Sequence, residues 1–374
     1  DLARENTIMA CVKHLALSGA TEADRDYNTA DMSRLSVYQD YLPPYKAAIE
    51  AGAGSAMSSF NVIDGIPATG NRWLLTELLR NQWKFDGFVV TDYTAIKEMT
   101  LHGMGDLQEV TALALKAGVD MDMVTEGFLT TLKKSLNEGK VTENEINQAC
   151  RRVLEAKYKL GLFDDPYRYI NKARMEKEIL SQANQNAARK IAASSVVLLK
   201  NDKQILPLKK SGKIALVGPL ADSKADMLGT WAMGGQVEKV VSLIEGLKNV
   251  GGSSVTVLHS RGCEFTDDPY LLKTMQPALS VSEKQSEETK KKAEEMIQEA
   301  VKLAAQCDVI VASVGEPATW SGEATSRTDI SLPETQKNLL KALKATGKPV
   351  VVVILSGRPL TLVWEDANFD AILE

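Results

Sequence analysis

GFVVTDY, Gly87 to Tyr93, is a β-branched apolar run that stops at an acid: Phe88, Val89 and Val90 lead straight to Asp92. A continuous apolar run of this kind suits a strand buried on both faces of a parallel sheet, because neither face carries the polar residues that contact with water selects. The carboxylate then stands at the C-terminal mouth of the strand, the end at which parallel barrels hold their chemistry. The plainer reading is that Asp92 caps a helix after a buried strand. This one segment leaves both readings open.

Outward from that run, strand-like and helix-like stretches alternate, the pattern of βα units carrying a parallel sheet. The candidate strands of the first half are Cys11 to Ala16, Gly54 to Asn61, Gly87 to Asp92 and Gly118 to Val124. Between them, Ser36 to Ala51 puts Tyr41, Tyr45, Ala48 and Ile49 on one helical face, and Trp73 to Trp83 does the same with Leu74, Leu75, Leu78 and Leu79. Thr142 with Glu145 three residues on predicts a capped helix start, and Gly161 a stop. Phe163 to Tyr169, with two aspartates and Pro166, reads as the exit from a domain.

Beyond it, Ala187 to Leu208 reads as a helix feeding a short buried strand, Val196 to Leu199. A second alternating series comes next: Lys213 to Pro219, Ser254 to Gly262, Cys307 to Glu316 and Pro349 to Pro359. A helix precedes Cys307, where Ala293, Met296, Ile297, Ala300, Val301 and Ala304 keep helical spacing. Its charged lead, Glu283 to Glu295 with the pairs Glu287/Lys291 and Glu288/Lys292, reads as a solvated face. Both ends look unfinished, opening inside a helix-to-strand approach and closing on the apolar stub Ala371 to Glu374. A closed barrel takes about eight βα units, and about four can be counted before Phe163.

The 374 residues are 44% hydrophobic and 25% charged, which fits globular material of two or three domains. The formal net charge is −5 and no block of Lys or Arg is long enough to track phosphates, which argues against nucleic acid as a partner. The longest apolar run, Pro349 to Leu355, falls well short of the roughly 20 residues of a spanning helix, so no membrane segment is expected. Cys11, Cys150, Cys263 and Cys307 lie far apart without CxxC spacing, which argues against a zinc knuckle or a redox dithiol and leaves buried thiols and disulfides both open. The turns at Gly218 and Gly315 lack the glycine patterns of nucleotide-binding loops.

A second carboxylate sits in GEPATWSGEATSRTDISLP, Gly315 to Pro333, directly after the strand Val309 to Val314. Gly, Ser, Thr and Pro dominate this stretch, which predicts a long loop leaving the carboxyl edge of a parallel sheet, where open α/β domains hold ligands. Glu323 rides on that loop, and an ordinary exposed loop acid is its plain alternative. Glu316, nearer the strand end, is expected to anchor the loop by hydrogen bonding. Lys13 and His14 come after Cys11 and Val12 on the first strand; adjacent residues point to opposite faces unless a bulge aims both at the mouth. A structural His and a Schiff-base Lys are their alternatives, the latter lacking a phosphate-binding or dehydrating partner.

CVKHLALSGATEADRDYNTADMS, YLPPYKAAIEAGAGSAMSSFNVIDGIPATGNRWLLTELLRNQWKFDGFVVTDY, ARKIAASSVVLLKN and SGEATSRTDISLPETQ together resemble glycoside hydrolase family 3, above all its bacterial periplasmic β-glucosidases. The resemblance implies an α/β chain: the C-terminal half of a TIM-like (β/α)8 barrel in residues 1–168, a linker at 169–188, and an α/β sandwich with a mostly parallel sheet in 189–374, incomplete at its C-terminus. It puts Asp92 in the nucleophile's place, where most members read SDW or SDH rather than TDY, and Glu323 in the acid/base place. Lys13 and His14 match the pair that binds hydroxyls of the −1 sugar. Met57 and Phe60 fall where that pocket is lined, with Phe60 usually a Tyr, and Tyr93 where an aromatic stacks near the leaving group. The family's early Asp and Arg have no segment here to supply them.

The resemblance further implies retaining removal of terminal β-glucosyl residues in the periplasm or outside the cell, on a small-molecule carbohydrate, without metal or organic cofactor. Asp92 is expected to stay ionised with help from a nearby Lys13, and Glu323 to be kept protonated by desolvation. A retaining geometry needs the carboxyl groups about 5 to 5.5 Å apart. A β-xylosidase and a non-catalytic carbohydrate-binding relative are the alternatives, and a homodimer is left open.

Overall fold

The computed structural model describes residues 7–275 and 287–374, in two units, Asp1–Ile179 and Leu180–Glu374. The first unit contains β1 (Cys11–Leu15), β2 (Thr29–Ala30), β3 (Ser55–Ser58), β4 (Val62–Ile63), β5 (Ile66–Pro67) and β6 (Phe88–Val90). β1, β3 and β6 form a parallel sheet in that order, with Val12 opposite Ala56, Ala56 opposite Val89 and Met57 opposite Val90. Parallel neighbours need a crossover between them, and the helices Leu42–Glu50 and Trp73–Gln82 provide two.

Each crossover buries the face its sequence spacing defines. Leu74, Leu75, Leu78 and Leu79 are fully buried, in one core with Leu15, Ala56, Val89, Ile96 and Met99; each such leucine contributes roughly 1.5–3 kcal/mol. The winding is not legible from that spacing. Trp73–Gln82 is π-helical, with Trp83 donating to the Leu78 carbonyl at 3.0 Å. Helix Leu42–Glu50 continues from a π-helical turn, Val37–Tyr41, and carries Pro43 and Pro44 in its first turn. The helix start at Thr142 forms as expected: Thr142 N–H donates to Glu145 at 2.7 Å, Glu145 N–H returns to the Thr142 hydroxyl at 3.3 Å, and the helix runs Glu143–Lys159.

The strand expected at Gly118 to Val124 does not form. Only Met121 bridges, in parallel, to Val90. Gly118, at φ +117, ends the helix Leu107–Ala117; Asp120 turns inward to Arg80 and Arg152; and Val124 and Glu126 take φ +69 and +61, which breaks the extended backbone a ladder needs.

The second unit holds β7 (Leu198–Asn201), β8 (Gly212–Val217), β9 (Val255–Ser260), β10 (Val309–Gly315), β11 (Val350–Leu355) and β12 (Ala371–Leu373). They make one sheet in the order β7-β12-β11-β10-β8-β9, parallel except for β7, which runs antiparallel to β12. Helices Glu287–Ala305 and Glu334–Ala345 bring Ala300, Ala304, Leu339, Leu340 and Leu343 into one core with Ala312, Val314 and Val352, while Ile244 of helix Leu243–Gly251 packs in another with Leu216 and Val311. A strand covered on both faces requires the near-continuous apolar runs that the sequence shows. The apolar stub is β12, an interior strand of this sheet.

Val196 to Leu199 do not form a buried strand. β7 starts two residues later at the sheet edge, and these four residues are 46 to 55% exposed. Glu283 and the side chains of Glu287 and Glu288, on which the expected charge pairing rests, lie outside the described residues, as do residues 1–6. All four cysteines are free thiols, and burial pushes that of Cys263 up to about 12. Among the described residues no helix is long and apolar enough to cross a membrane.

Candidate active site

In the first unit the carboxyl ends of β1, β3 and β6 lie side by side. Thr91 and Asp92 carry the chain past Val90, the last ladder residue of β6, and the turn they enter is tied to a neighbouring segment at three points. Thr91 N–H donates to the Met121 carbonyl at 3.0 Å, Met123 N–H to the Thr91 hydroxyl at 2.9 Å, and Thr94 N–H to the Met123 carbonyl at 3.0 Å. Thr94 takes φ +58, a left-handed conformation uncommon outside glycine and frequent at functional turns. The Met121–Met123 contact was not legible in the sequence, where the segment reads as another strand.

Asp92 is not a helix cap. Helix Ala95–Leu101 starts after Thr94 with no side-chain cap bond. The carboxylate accepts instead from the Tyr93 N–H at 2.7 Å, and His14 Nε2 lies 3.2 Å from Asp92 Oδ2. The Asp92 side chain is 15% exposed and that of His14 34%, so the pair is half-sheltered and reachable. Tyr45, on the helix Leu42–Glu50, donates its hydroxyl to the His14 carbonyl at 2.7 Å, and burial raises the phenol's pKa, keeping it a donor.

Lys13 is exposed, and among the described residues the ion-pair partner of Asp92 is His14 rather than Lys13. This corrects the expectation that Lys13 supports the carboxylate. Burial alternates along β1, and the ladder register slips between Val12 and Leu15; the Lys13–His14 peptide within that interval and the Leu15–Ala16 peptide just after it are cis. Met57 is half-buried opposite Val90 on β3. Phe60 is half-buried and packs on Tyr27, ring centroids 4.9 Å apart, and Tyr93 is 60% exposed beside the carboxylate. A hollow of this unit, about 660 Å³, is lined by Ile8, Met9, Leu160, Leu162 and Tyr169 among others and holds none of these residues.

Beneath the turn, Asp120 is a three-way anchor. Its carboxylate, 1% exposed, accepts from Arg80 at 2.6 Å, Arg152 at 2.8 Å and the Val89 N–H at 2.8 Å. Burial raises the pKa of this carboxyl, and the two guanidinium groups and the amide oppose the shift without cancelling it.

In the second unit, Glu323 lies on the loop after β10 and is exposed. Gly322 and Ala324 on either side take φ +123 and +55. Glu316 anchors this loop as expected: 1% exposed, it accepts from Arg327 and, at 3.1 Å, from Arg358 Nε. Arg358 also donates to the carbonyls of Trp320 and Thr325, a role the sequence did not disclose. Asp226 accepts from Ala318 N–H at 2.8 Å on the loop's other flank. Among the described residues no group of His, Cys, Asp and Glu could hold a metal ion.

Residues 2–156 match the model of the glycosyl hydrolase family 3 N terminal domain, and residues 196–374 that of the family 3 C-terminal domain. The chain is 44% identical over 372 residues to the periplasmic beta-glucosidase of Salmonella typhimurium, covering 98% of this chain and 48% of that protein. It is 33% identical to a beta-xylosidase of Formosa agariphila, covering 99% of this chain and 50% of the relative. The crystal structure of a beta-glucosidase from Listeria innocua superposes with a TM-score of 0.86 at 39% identity, covering 100% of this chain and 48% of that one. The chain thus spans about half the length of the relatives it matches. On both halves, in order and over nearly its whole length, this chain belongs to glycoside hydrolase family 3.

Proposed function

We propose that this chain carries the two catalytic carboxylates of a retaining β-glucosidase that removes terminal non-reducing β-D-glucosyl residues. The observation that carries the reading is the His14–Asp92 pair: a half-sheltered acid at the mouth of a buried parallel strand, held by a neutral or cationic ring donor and by a backbone amide. Asp92 attacks the anomeric carbon, the bond to the leaving oxygen breaks, and Glu323 delivers its proton to that oxygen. Glu323, now a carboxylate, takes a proton from water as the resulting hydroxide displaces Asp92 from the sugar. His14 and Lys13 are hydroxyl-binding groups, Met57 and Phe60 line the sugar pocket, and Tyr93 faces the leaving group.

The relatives support the substrate class. The Salmonella protein bears the name periplasmic beta-glucosidase, which favours a periplasmic or secreted location here, and the Listeria enzyme has been crystallised with glucose and with isofagomine. The order β1-β3-β6, all parallel, with Met121 bridging on, supports reading residues 1–168 as consecutive βα units of a (β/α)8 barrel, with 169–188 a linker and 189–374 a sandwich domain. The reaction calls on no metal or organic cofactor.

A 2-deoxy-2-fluoro glucoside tests the reading, because it slows hydrolysis of the glycosyl-enzyme and lets the adduct accumulate. Peptide mapping of the intact enzyme is expected to find the sugar on Asp92; label on another acid ends that assignment. The Formosa relative favours a β-xylosidase as the second reading. Aryl xyloside turning over faster than aryl glucoside would establish it.

A further inference from the structure

One guanidinium group holds both sides of the turn on which Glu323 sits. The Thr325 N–H at 3.4 Å and its hydroxyl at 2.7 Å both donate to the Gly322 carbonyl, closing a tight turn with Glu323 and Ala324 at its crest. Left-handed backbone on both sides of Glu323 leaves that turn few alternative shapes, and Ala324 adopts it despite its Cβ. Arg358, in the segment after β11, donates from one terminal nitrogen to the carbonyl of Trp320 before the turn and, at 2.8 Å, to that of Thr325 at its end.

The guanidinium is itself fixed. Its Nε donates to the buried Glu316 at 3.1 Å, and Glu316 also takes Arg327, a residue of the same loop. The Arg358 side chain is 17% exposed and the Arg327 side chain 11%, so these bonds are largely sheltered from water. Arg327 stacks over the Trp320 ring at 5.1 Å. A guanidinium meets the carboxylate from Nε while one terminal nitrogen meets both carbonyls; a lysine ammonium offers one centre.

We infer that Arg358 is a positioning residue for Glu323: it sets where the crest of the Gly322–Thr325 turn stands, and so where the carboxyl group meets the leaving-group oxygen. The inference rests on the reading of Glu323 as acid/base. A general acid must come within about 2.6–3.2 Å of the atom it protonates, and a misplacement near 1 Å can cost about 100-fold. An exposed glutamate on an unheld loop would spread over more than that distance.

The test combines hydrogen exchange with leaving-group kinetics. In Arg358→Gln, amides of residues 320–327 are expected to exchange at least about tenfold faster while β10 and β11 keep their protection. If exchange rises throughout the unit, Arg358→Lys, which keeps the cation beside Glu316, replaces it and is expected to show the same local loss. Unchanged loop exchange in both variants overturns the proposal. In the intact enzyme, kcat/KM of Arg358→Gln is expected to fall about 10- to 100-fold for an alkyl or phenyl glucoside and only a few-fold for a dinitrophenyl glucoside, which needs no proton. Glu323→Ala is expected to show the same pattern more steeply, and the double variant to be no worse than Glu323→Ala. Steep dependence in Glu323→Ala with equal slowing of all substrates in Arg358→Gln overturns the positioning role and leaves Glu323 in place. A flat response in Glu323→Ala removes Glu323 from acid/base duty, and the role of Arg358 with it.

Discussion

His14 Nε2 lies 3.2 Å from Asp92 Oδ2 although β3 separates the strands that carry them. The imidazole therefore reaches across the middle strand's end, and the Tyr45 hydroxyl on the His14 carbonyl fixes the backbone from which it reaches. With Asp92 as nucleophile, His14→Ala is expected to lower kcat/KM for an aryl β-glucoside roughly 10- to 100-fold through loss of carboxylate orientation. Asp92→Asn combined with His14→Ala should be little worse than Asp92→Asn alone, as for two residues acting as a unit. Undiminished turnover in His14→Ala would remove the pair from the mechanism.

Asp120→Asn leaves Arg80, whose side chain is 9% exposed, without its carboxylate and weakens the acceptor of the Val89 N–H. Breaking one partner of a buried ion pair costs about 3–5 kcal/mol. Urea denaturation monitored by circular dichroism should give a loss in that range; a loss below about 1 kcal/mol would mean that water reaches the cluster.

Gly218 and Gly315 end β8 and β10 with φ +132 and +134, and a Cβ there would stand 1.9 Å from the Ser313 carbonyl oxygen and 2.0 Å from that of Leu355. The obstacle is backbone of the neighbouring strand, which cannot swing aside. Gly315→Ala is expected to destabilise the second unit by roughly 2–4 kcal/mol, adding strain at a left-handed position to the clash. Gly347, also at positive φ but with nothing within 4 Å, should lose less on the same change, and thermal melts of the two variants compare them.

Thr142→Ala removes the hydroxyl that accepts from Glu145 N–H, one half of the reciprocal cap. The expected cost is about 1 kcal/mol, read as a lower denaturation midpoint with unchanged slope.

His259 on β9 is exposed, and partial desolvation lowers its pKa, with the Asp222 carboxylate opposing. A depressed imidazole pKa means that the unfolded chain takes up the proton first as pH falls. The contribution to stability is complete above the ordinary value of about 6.5 and is lost as pH drops from there toward the folded pKa. His259→Gln lacks that loss, so the stability of wild type relative to the variant should decline as the pH falls through and below the ordinary imidazole value of about 6.5. Denaturation midpoints of both proteins on either side of that value measure it, and a constant difference would place the imidazole in full contact with water.

The sequence by itself determined the buried strands Phe88–Val90, Val309–Gly315 and Val350–Leu355, the capped helix at Thr142 and the loop that carries Glu323. Each is written in local periodicity or local hydrogen bonding: an apolar run from Val350 to Leu355 is compatible with little besides an interior strand, and Thr142 meets Glu145 within one turn. Glu316 was legible as an anchor for the same reason, standing at the end of its strand.

Tertiary structure alone decided which side chains meet. His14 rather than Lys13 faces Asp92 because a register slip in β1 and the order of three strands set the direction of reach. Arg358 finds the Thr325 carbonyl 33 residues away because β10 and β11 are paired neighbours whose ends coincide. Gly118 to Val124 reads as a strand until Asp120 is drawn to two arginines that no local pattern names. Periodicity reports the burial of a face; the partner across it depends on sheet order and register, which are properties of the folded chain.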